Sequence, residues 1–332
     1  MKSNDTYPLI YTILMGFLLI HTTVAADIDR SVIVPKAKDS LLLGIDRKGS
    51  LIVAVGERGH VLFTNDAENW QQANVETRLT LTSVFLINEK TGWAVGHDAV
   101  ILKTEDGALN WKRVFQATEE VPLLDLVFLD PLNGIAVGAY GLMYKTSNGG
   151  TSWQKTPVNI INKNILGLEN NESFDLHLNS ISCVTNNRCY IAAESGYLLR
   201  TDDTGYSWTV LKTPYEGSFF GTVCLSRDEL LVYGLKGHLY RSVDGGVHWK
   251  HIDTYTSEML TAAIILASGD IVIAGMGGTL LISHDNGVSF SKLDLKHRNA
   301  LSALIETESG TLAVSGEKGI EVIPIDKILQ RQ

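Results

Sequence analysis

The sequence predicts an all-β chain: a seven-bladed β-propeller of four-stranded antiparallel blades. Three observations carry this reading. A turn-plus-aromatic motif recurs as TNDAENW (64–70), TEDGALNW (104–111), TSNGGTSW (146–153), TDDTGYSW (201–208), SVDGGVHW (242–249) and SHDNGVSF (283–290). Its closing aromatics, Trp70, Trp111, Trp153, Trp208, Trp249 and Phe290, stand 41, 42, 55, 41 and 41 residues apart. A fixed period of about 40 residues marks a propeller or a solenoid. An apolar run closing on a small residue recurs as well, ending at Gly56, Gly96, Gly138, Ala193, Gly234, Gly275 and Gly316, which counts seven units. Finally, each unit divides into four short β-rich runs. In the second unit these are TSVFL (82–86), GWAVG (92–96), VILKT (100–104) and WKRVF (111–115), separated by turn residues. Even spacing of short strands is the mark of an all-β array, and a four-stranded unit repeated radially is a blade.

In chain order, residues 1–26 read as a secretory signal peptide. Lys2 precedes an apolar run from Leu9 to Ile20, and Val24-Ala25-Ala26 supplies small residues for cleavage. The run is shorter than the ~20 residues that span a bilayer, and the segment holds no cysteine for a lipid anchor. The mature chain then begins near Asp27, outside the cytoplasm, and residues 27–332 form a single propeller domain. The segment SVIVP (31–35) has strand character. The last unit, about 301–325, shows only three strands and no box of its own. An open last blade leaves an unpaired edge, which proteins avoid, so SVIVP is expected to supply its outer strand and close the ring. About 14 extra residues lie between Trp153 and Trp208, mostly in 159–179. In an up-and-down blade this insertion rises from the face opposite the boxes, and long loops on rigid scaffolds tend to carry function.

Within the boxes, the third residue is a turn-former. Asp106, Asn148, Asp203, Asp244 and Asp285 can bond the turn backbone through their side chains. Paired glycines supply left-handed backbone, and the closing Trp or Phe pins one sheet to the next. Of the three cysteines, Cys183 and Cys189 flank the polar turn VTNNR, where an oxidising compartment permits a disulfide. The other reading makes Cys183 and Cys224 small buried hydrophobes at equivalent positions of neighbouring units.

Charge excludes some functions. The net charge is −9, with 20% charged residues and basic residues scattered without runs. A nucleic-acid footprint or adhesion to an anionic membrane needs clustered Lys and Arg. No cluster of His, Cys and carboxylates has metal-site spacing, and no cofactor is implied. GMGGTL (275–280) brushes a dinucleotide fingerprint but sits in a strand-to-strand turn. His248 and His251 point to opposite faces of a strand.

The motifs resemble the Asp-box of sialidase-type propellers. The longer pattern, seen best in VGAYGLMYKTSNGGTSW (137–153) and YGLKGHLYRSVDGGVHW (233–249), resembles the photosystem II stability and assembly factor family and its bacterial relatives, over about 40–325. The resemblance implies a non-catalytic seven-bladed propeller in the periplasm or thylakoid lumen that helps a membrane protein complex to assemble. Photosynthetic members carry an arginine-rich patch. Here the turns after the second strands read ERG, HDA, AYG, ESG, LKG, MGG and EKG, with Arg58 the only arginine. A relative serving another envelope membrane protein fits at least as well.

The expected partner surface is therefore the face opposite the boxes, with Glu57, Arg58, His97, Asp98, Tyr140, Glu194, Lys236, Arg298, Glu317 and Lys318. The inter-blade links add Arg78, Tyr215, Phe219, Phe220, Tyr255 and His297, since Tyr, Phe and Arg are enriched in interface cores. The alternative is a sialidase-like glycoside hydrolase or a glycan-binding propeller. A sialidase needs convergent arginines and a tyrosine nucleophile with a carboxylate partner. The Arg-Ile-Pro stretch typical of those enzymes is absent, and Tyr140 beside Glu194 or Glu57 comes nearest to a nucleophile pair.

Overall fold

The structure, a computed structural model, describes residues 29–167 and 175–329. The signal peptide expected over 1–26 lies outside the described residues. Seven sheets follow one another along the chain. Blade one holds β1 (Leu42–Lys48), β2 (Leu51–Gly56), β3 (Val61–Thr64) and β4 (Gln71–Gln72). A short β5 (Asn74–Val75) then joins blade two, which holds β6 (Leu81–Leu86), β7 (Gly92–Gly96), β8 (Ile101–Thr104) and β9 (Asn110–Phe115). Blade three is β10 (Leu123–Phe128), β11 (Gly134–Gly138), β12 (Met143–Thr146) and β13 (Gln154–Lys155). Blade four is β14 (Leu178–Cys183), β15 (Cys189–Ala193), β16 (Tyr197–Thr201) and β17 (Thr209–Lys212). Blade five is β18 (Phe219–Cys224), β19 (Leu230–Gly234), β20 (Leu239–Ser242) and β21 (Lys250–His251). Blade six is β22 (Leu260–Ile265), β23 (Ile271–Gly275), β24 (Thr279–Ser283) and β25 (Ser291–Asp294). Blade seven has three strands, β26 (Leu301–Glu306), β27 (Thr311–Gly316) and β28 (Gly319–Pro324), followed by the short helix α1 (Ile325–Leu329).

Within each blade the strands pair antiparallel in sequence order; only β5 pairs in parallel, with β9. The first strands touch one another around the ring, β1 lying against both β6 and β26, so they form the inner wall. All seven carry an irregularity at the same place, as between Leu42 and Gly44 or Leu123 and Asp125. A bulge re-aims the side chain at the extra position, here near the axis.

The core is a ring of inter-blade layers. Trp111 packs with Val53, Phe63 and Leu81 between blades one and two. Trp208 packs with Ile135, Met143 and Leu178 between blades three and four. Phe290 packs with Leu231, Tyr233 and Ile273 between blades five and six. Fully burying one such side chain is worth about 1.5–3 kcal/mol, so each blade is held mainly by its neighbours. The second strands lie in the middle of these layers and are buried along their whole length in blades one to six, and in blade seven beyond Thr311.

The N-terminal segment reaches the last blade, as expected, but packs on it as a turn and not as its fourth strand. Residues 31–35 form no strand. They lie instead along the outer edges of blades one and two: Ser31 donates to the Val75 carbonyl of β5 at 3.0 Å, and Gln72 of β4 brackets Val32 and Val34 through its side-chain amide. The chain then crosses to blade seven, where the turn Ala37–Asp39 packs against β28 and Ala37 is buried. Pro35 lacks an N–H and cannot donate to a ladder. The N-terminal segment is therefore a strap across the seam, and among the described residues blade seven keeps three strands. Packing of Leu42, Ile45 and Ala54 against Ala313 and Ile305 completes the closure.

The insertion also differs from expectation in its described part. Ile160 bridges Trp208 in parallel, and the Asn162 amide exchanges two hydrogen bonds with Val210, at 2.8 and 2.9 Å. Residues 159–166 thus lie along the outer edge of β17 and cover it, rather than standing clear of the ring.

Candidate partner-binding face

The small residue that closes each second strand has a steric reason. A Cβ on Gly56 would sit 2.1 Å from the Leu41 carbonyl oxygen, the same oxygen that accepts the Glu57 N–H at 3.0 Å. The chain then makes a single 3-10 turn in five blades, at 57–59, 97–99, 139–141, 235–237 and 276–278. The middle residue is left-handed: Arg58 (φ 55), Asp98 (φ 54), Tyr140 (φ 53), Lys236 (φ 54) and Gly277 (φ 64), with Ser195 (φ 56) in blade four. A left-handed side chain costs about 1–2 kcal/mol, so every one of these turns but the Gly277 one holds a strained residue, the 97–99 turn holding a second in Ala99 (φ 47), and most of the middle residues are exposed.

These turns and the inter-blade links make one face. On it Tyr140 is 66% exposed and lies edge-on to His177 at 4.8 Å between centroids. His177 is held by Glu194, whose carboxylate accepts its backbone N–H at 3.1 Å and lies 3.3 Å from Nδ1. Tyr255, also left-handed, is 76% exposed. Several charges are already engaged. Glu57 accepts the Leu41 N–H, Arg298 pairs with Glu258 at 3.2 Å, and Lys318 lies 3.9 Å from Glu317. Arg78 pairs with Asp29, and His297 with Glu321 at 2.6 Å. Among the described residues Arg58, Lys236 and His97 are exposed and enter no ion pair. Phe219 is fully buried, Phe220 lines the central cavity, and Tyr215 stacks on His238 at 3.8 Å.

The central cavity, about 360 Å³, holds residues that the motif reading passed over. Asp125 is buried in its wall. Its carboxylate accepts the Ser83 hydroxyl at 2.7 Å from blade two and the Ile181 N–H at 2.9 Å from blade four. Burial pushes its pKa up to about 6 against these hydrogen bonds. Asp46 accepts the Leu86 and Arg47 N–H groups and is raised to about 6, again by burial. Tyr233 also lines the cavity, and burial raises its phenol. The signal for Asp125 was a carboxylate where the equivalent residues are Gly44, Ser83, Ser180, Gly221, Ala262 and Ala303. No arginine lines the cavity, and Arg298 turns to Glu258 instead.

On the other face the boxes are alike. In the blade-four box the Thr201 hydroxyl accepts the Asp203 and Gly205 N–H groups and donates to Asp203 at 2.7 Å. Asp203 then accepts the Ser207 N–H and hydroxyl. Asp66, Asp106, Asp244 and Asp285 repeat the pattern, and Asn148 reproduces it with its amide donating to Ser152. Hydrogen bonding, led by the His248 N–H, holds Asp244 down at about 2. Of the box indoles, Trp70 and Trp111 donate to the carbonyls of Ala67 and Ala108. Cys183 and Cys189 are joined by a disulfide across the β14–β15 hairpin, while Cys224 is free. Among the described residues, no group of three or more His, Cys, Asp and Glu is placed to hold a metal ion.

Residues 109–264 match the family model described as "Photosynthesis system II assembly factor YCF48". Over that stretch, just under half of the chain, the sequence resembles the YCF48 type of propeller. Among solved structures it is similar to YCF48 from Cyanidioschyzon merolae, at 19% identity and a TM-score of 0.70, covering 89% of this chain and 98% of that one. It is also similar to a structure titled "YCF48 bound to D1 peptide", at 16% identity and a TM-score of 0.68, covering 89% and 96%. The WD40 propeller domain of Doa1 follows at 14% identity and a TM-score of 0.67, covering 89% and 96%. No curated protein matches the sequence. At these identities the solved structures speak for the fold, and the matched repeat adds the YCF48-like character of the central blades.

Proposed function

We propose that this propeller is a non-catalytic assembly or accessory factor, exported from the cytoplasm, that holds a segment of a membrane protein complex on the face opposite the boxes. The observation that carries the reading is the YCF48-type repeat over 109–264 on a seven-bladed ring. One solved structure of that type is titled as bound to a D1 peptide, so the client segment here is read as a peptide of a membrane protein. The face suits such a client. Tyr140 and Tyr255 offer exposed rings, and Arg58, His97 and Lys236 offer side chains free of ion pairs. Exposed aromatics beside cations are the anchors from which interface energy is made. The Cys183–Cys189 disulfide supports export, because such bonds persist in oxidising compartments. No helix among the described residues is long and apolar enough to cross a membrane.

The test is a pull-down of detergent-solubilised membrane proteins with the mature chain. The wild type is expected to retain a defined membrane protein, and the Arg58→Glu/Lys236→Glu variant to lose at least about tenfold of it. Equal retention by both, with the variant's melting temperature unchanged, would move the contact off this face.

A further inference from the structure

Between blades three and four, on the box face, a cavity of about 500 Å³ opens. Ligand sites run from about 300 to 1,000 Å³. Its floor is apolar, from Leu129 and Ile135, and its wall is a run of amides and hydroxyls, among them Gln154, Asn159 and Asn186. Tyr206 closes one side and is 77% exposed. The cavity exists because the chain leaves β13 after two residues. It passes through Thr156 and Pro157 before Asn159 takes up the parallel contact with Trp208.

The charged groups within reach, one of each sign, are hydrogen-bonded to the fold. The Lys145 ammonium donates to the Gly205 carbonyl and sits 5.4 Å from the Tyr206 ring centroid. The Asp130 carboxylate accepts the Leu132 and Asn133 N–H groups and the Asn133 amide, at 2.8–2.9 Å. Tyr206, by contrast, is tied into the fold through its backbone, its N–H bonding Asp203 and its carbonyl accepting the Asn159 amide. The sixth residue is exposed in each of the five full-length boxes, as Leu109, Val247 and Val288 show. Only in blade four is it aromatic, and there it meets a polar cavity.

We infer that this cavity binds a neutral, hydroxyl-rich ligand, a pyranose unit of a glycan, with Tyr206 as its stacking platform. A sugar presents an apolar C–H face and a rim of hydroxyls. An exposed ring beside planar amides matches both, and a lining with one ammonium and one carboxylate carries no net charge to select an anion. The site is separate from the partner face and does not depend on it.

The experiment is calorimetric titration of the mature chain with cellotetraose, maltotetraose and chitotetraose, with sialyllactose as the anionic comparison. Saturable binding of at least one neutral tetrasaccharide is expected. It should weaken at least about tenfold in Tyr206→Ala, survive in Tyr206→Trp, and persist in Arg58→Glu/Lys236→Glu. The melting temperature of Tyr206→Ala should stay at the wild-type value, since its backbone contacts remain. Three outcomes overturn the inference: no neutral sugar binds, sialyllactose binds more tightly than the neutral sugars, or Tyr206→Ala binds as the wild type does.

Discussion

Single carboxylates in this ring do opposite things depending on what surrounds them. The box aspartates are met by N–H and O–H donors at the surface, so their charged form is favoured and their pKa values are low. Asp46 and Asp125 accept hydrogen bonds too, yet burial outweighs them and raises both to about 6. A raised carboxylate stabilises the fold fully below its unfolded pKa, and that stability is lost as pH rises through the folded one. The two groups together therefore predict a melting temperature that falls from about pH 4 to about pH 7, by an amount worth on the order of 3 kcal/mol per group at most. Lys48 and the Asp46–Asp125 interaction modify this in opposite directions. Thermal melts across that range check it: the Asp46→Asn/Asp125→Asn protein should show a flatter slope, and a wild-type melting temperature that rises with pH would contradict it. None of this was legible from the motifs. Asp125 sits in LLDLVF, and only placing that strand beside its six equivalents shows a lone carboxylate among Gly, Ser and Ala.

At the scale of the element, the basic residue immediately before three of the boxes, in blades three, four and five, is a clasp. The Lys145 ammonium reaches the Gly205 carbonyl, Arg200 reaches the Gly245 carbonyl at 2.9 Å, and Arg241 reaches the Asn286 carbonyl at 3.2 Å. Each therefore holds the box of the next blade. Arg188 adds a second tie, bonding Asp202 in its own blade and Asp228 in the next. A charged hydrogen bond of this kind is worth about 1.5–3 kcal/mol. Arg200→Ala should thus lower unfolding stability by roughly that amount in a denaturant titration, and a change near zero would remove the clasp from the account. Blade number, box positions and the short second strands were all readable in the sequence, because the period repeats identical local chemistry. The strap at 31–37 and the path of 159–166 were not. Strand propensity says that SVIVP is extended, while the choice between two nearby edges rests on Gln72 and on Pro35.

Viewed whole, the molecule is a closed ring in which neighbouring blades bury one another. Such a frame needs no catalytic centre to present two rigid faces. The face of left-handed turns carries Tyr140, Tyr255, Arg58 and Lys236, and the box face carries the blade-three–blade-four cavity. The sequence repeat made the turn face recognisable, but it could not show which charges remain free, since pairs such as Arg298–Glu258 join residues 40 apart. The most direct measurement is site-specific photo-crosslinking in cells, with a benzophenone amino acid placed at Tyr140 or Tyr255 on the turn face, or at Val247 on the box face. The account predicts adducts with an integral membrane protein from the first two positions and none from the third. Adducts from Val247 alone, or from no position, would contradict it.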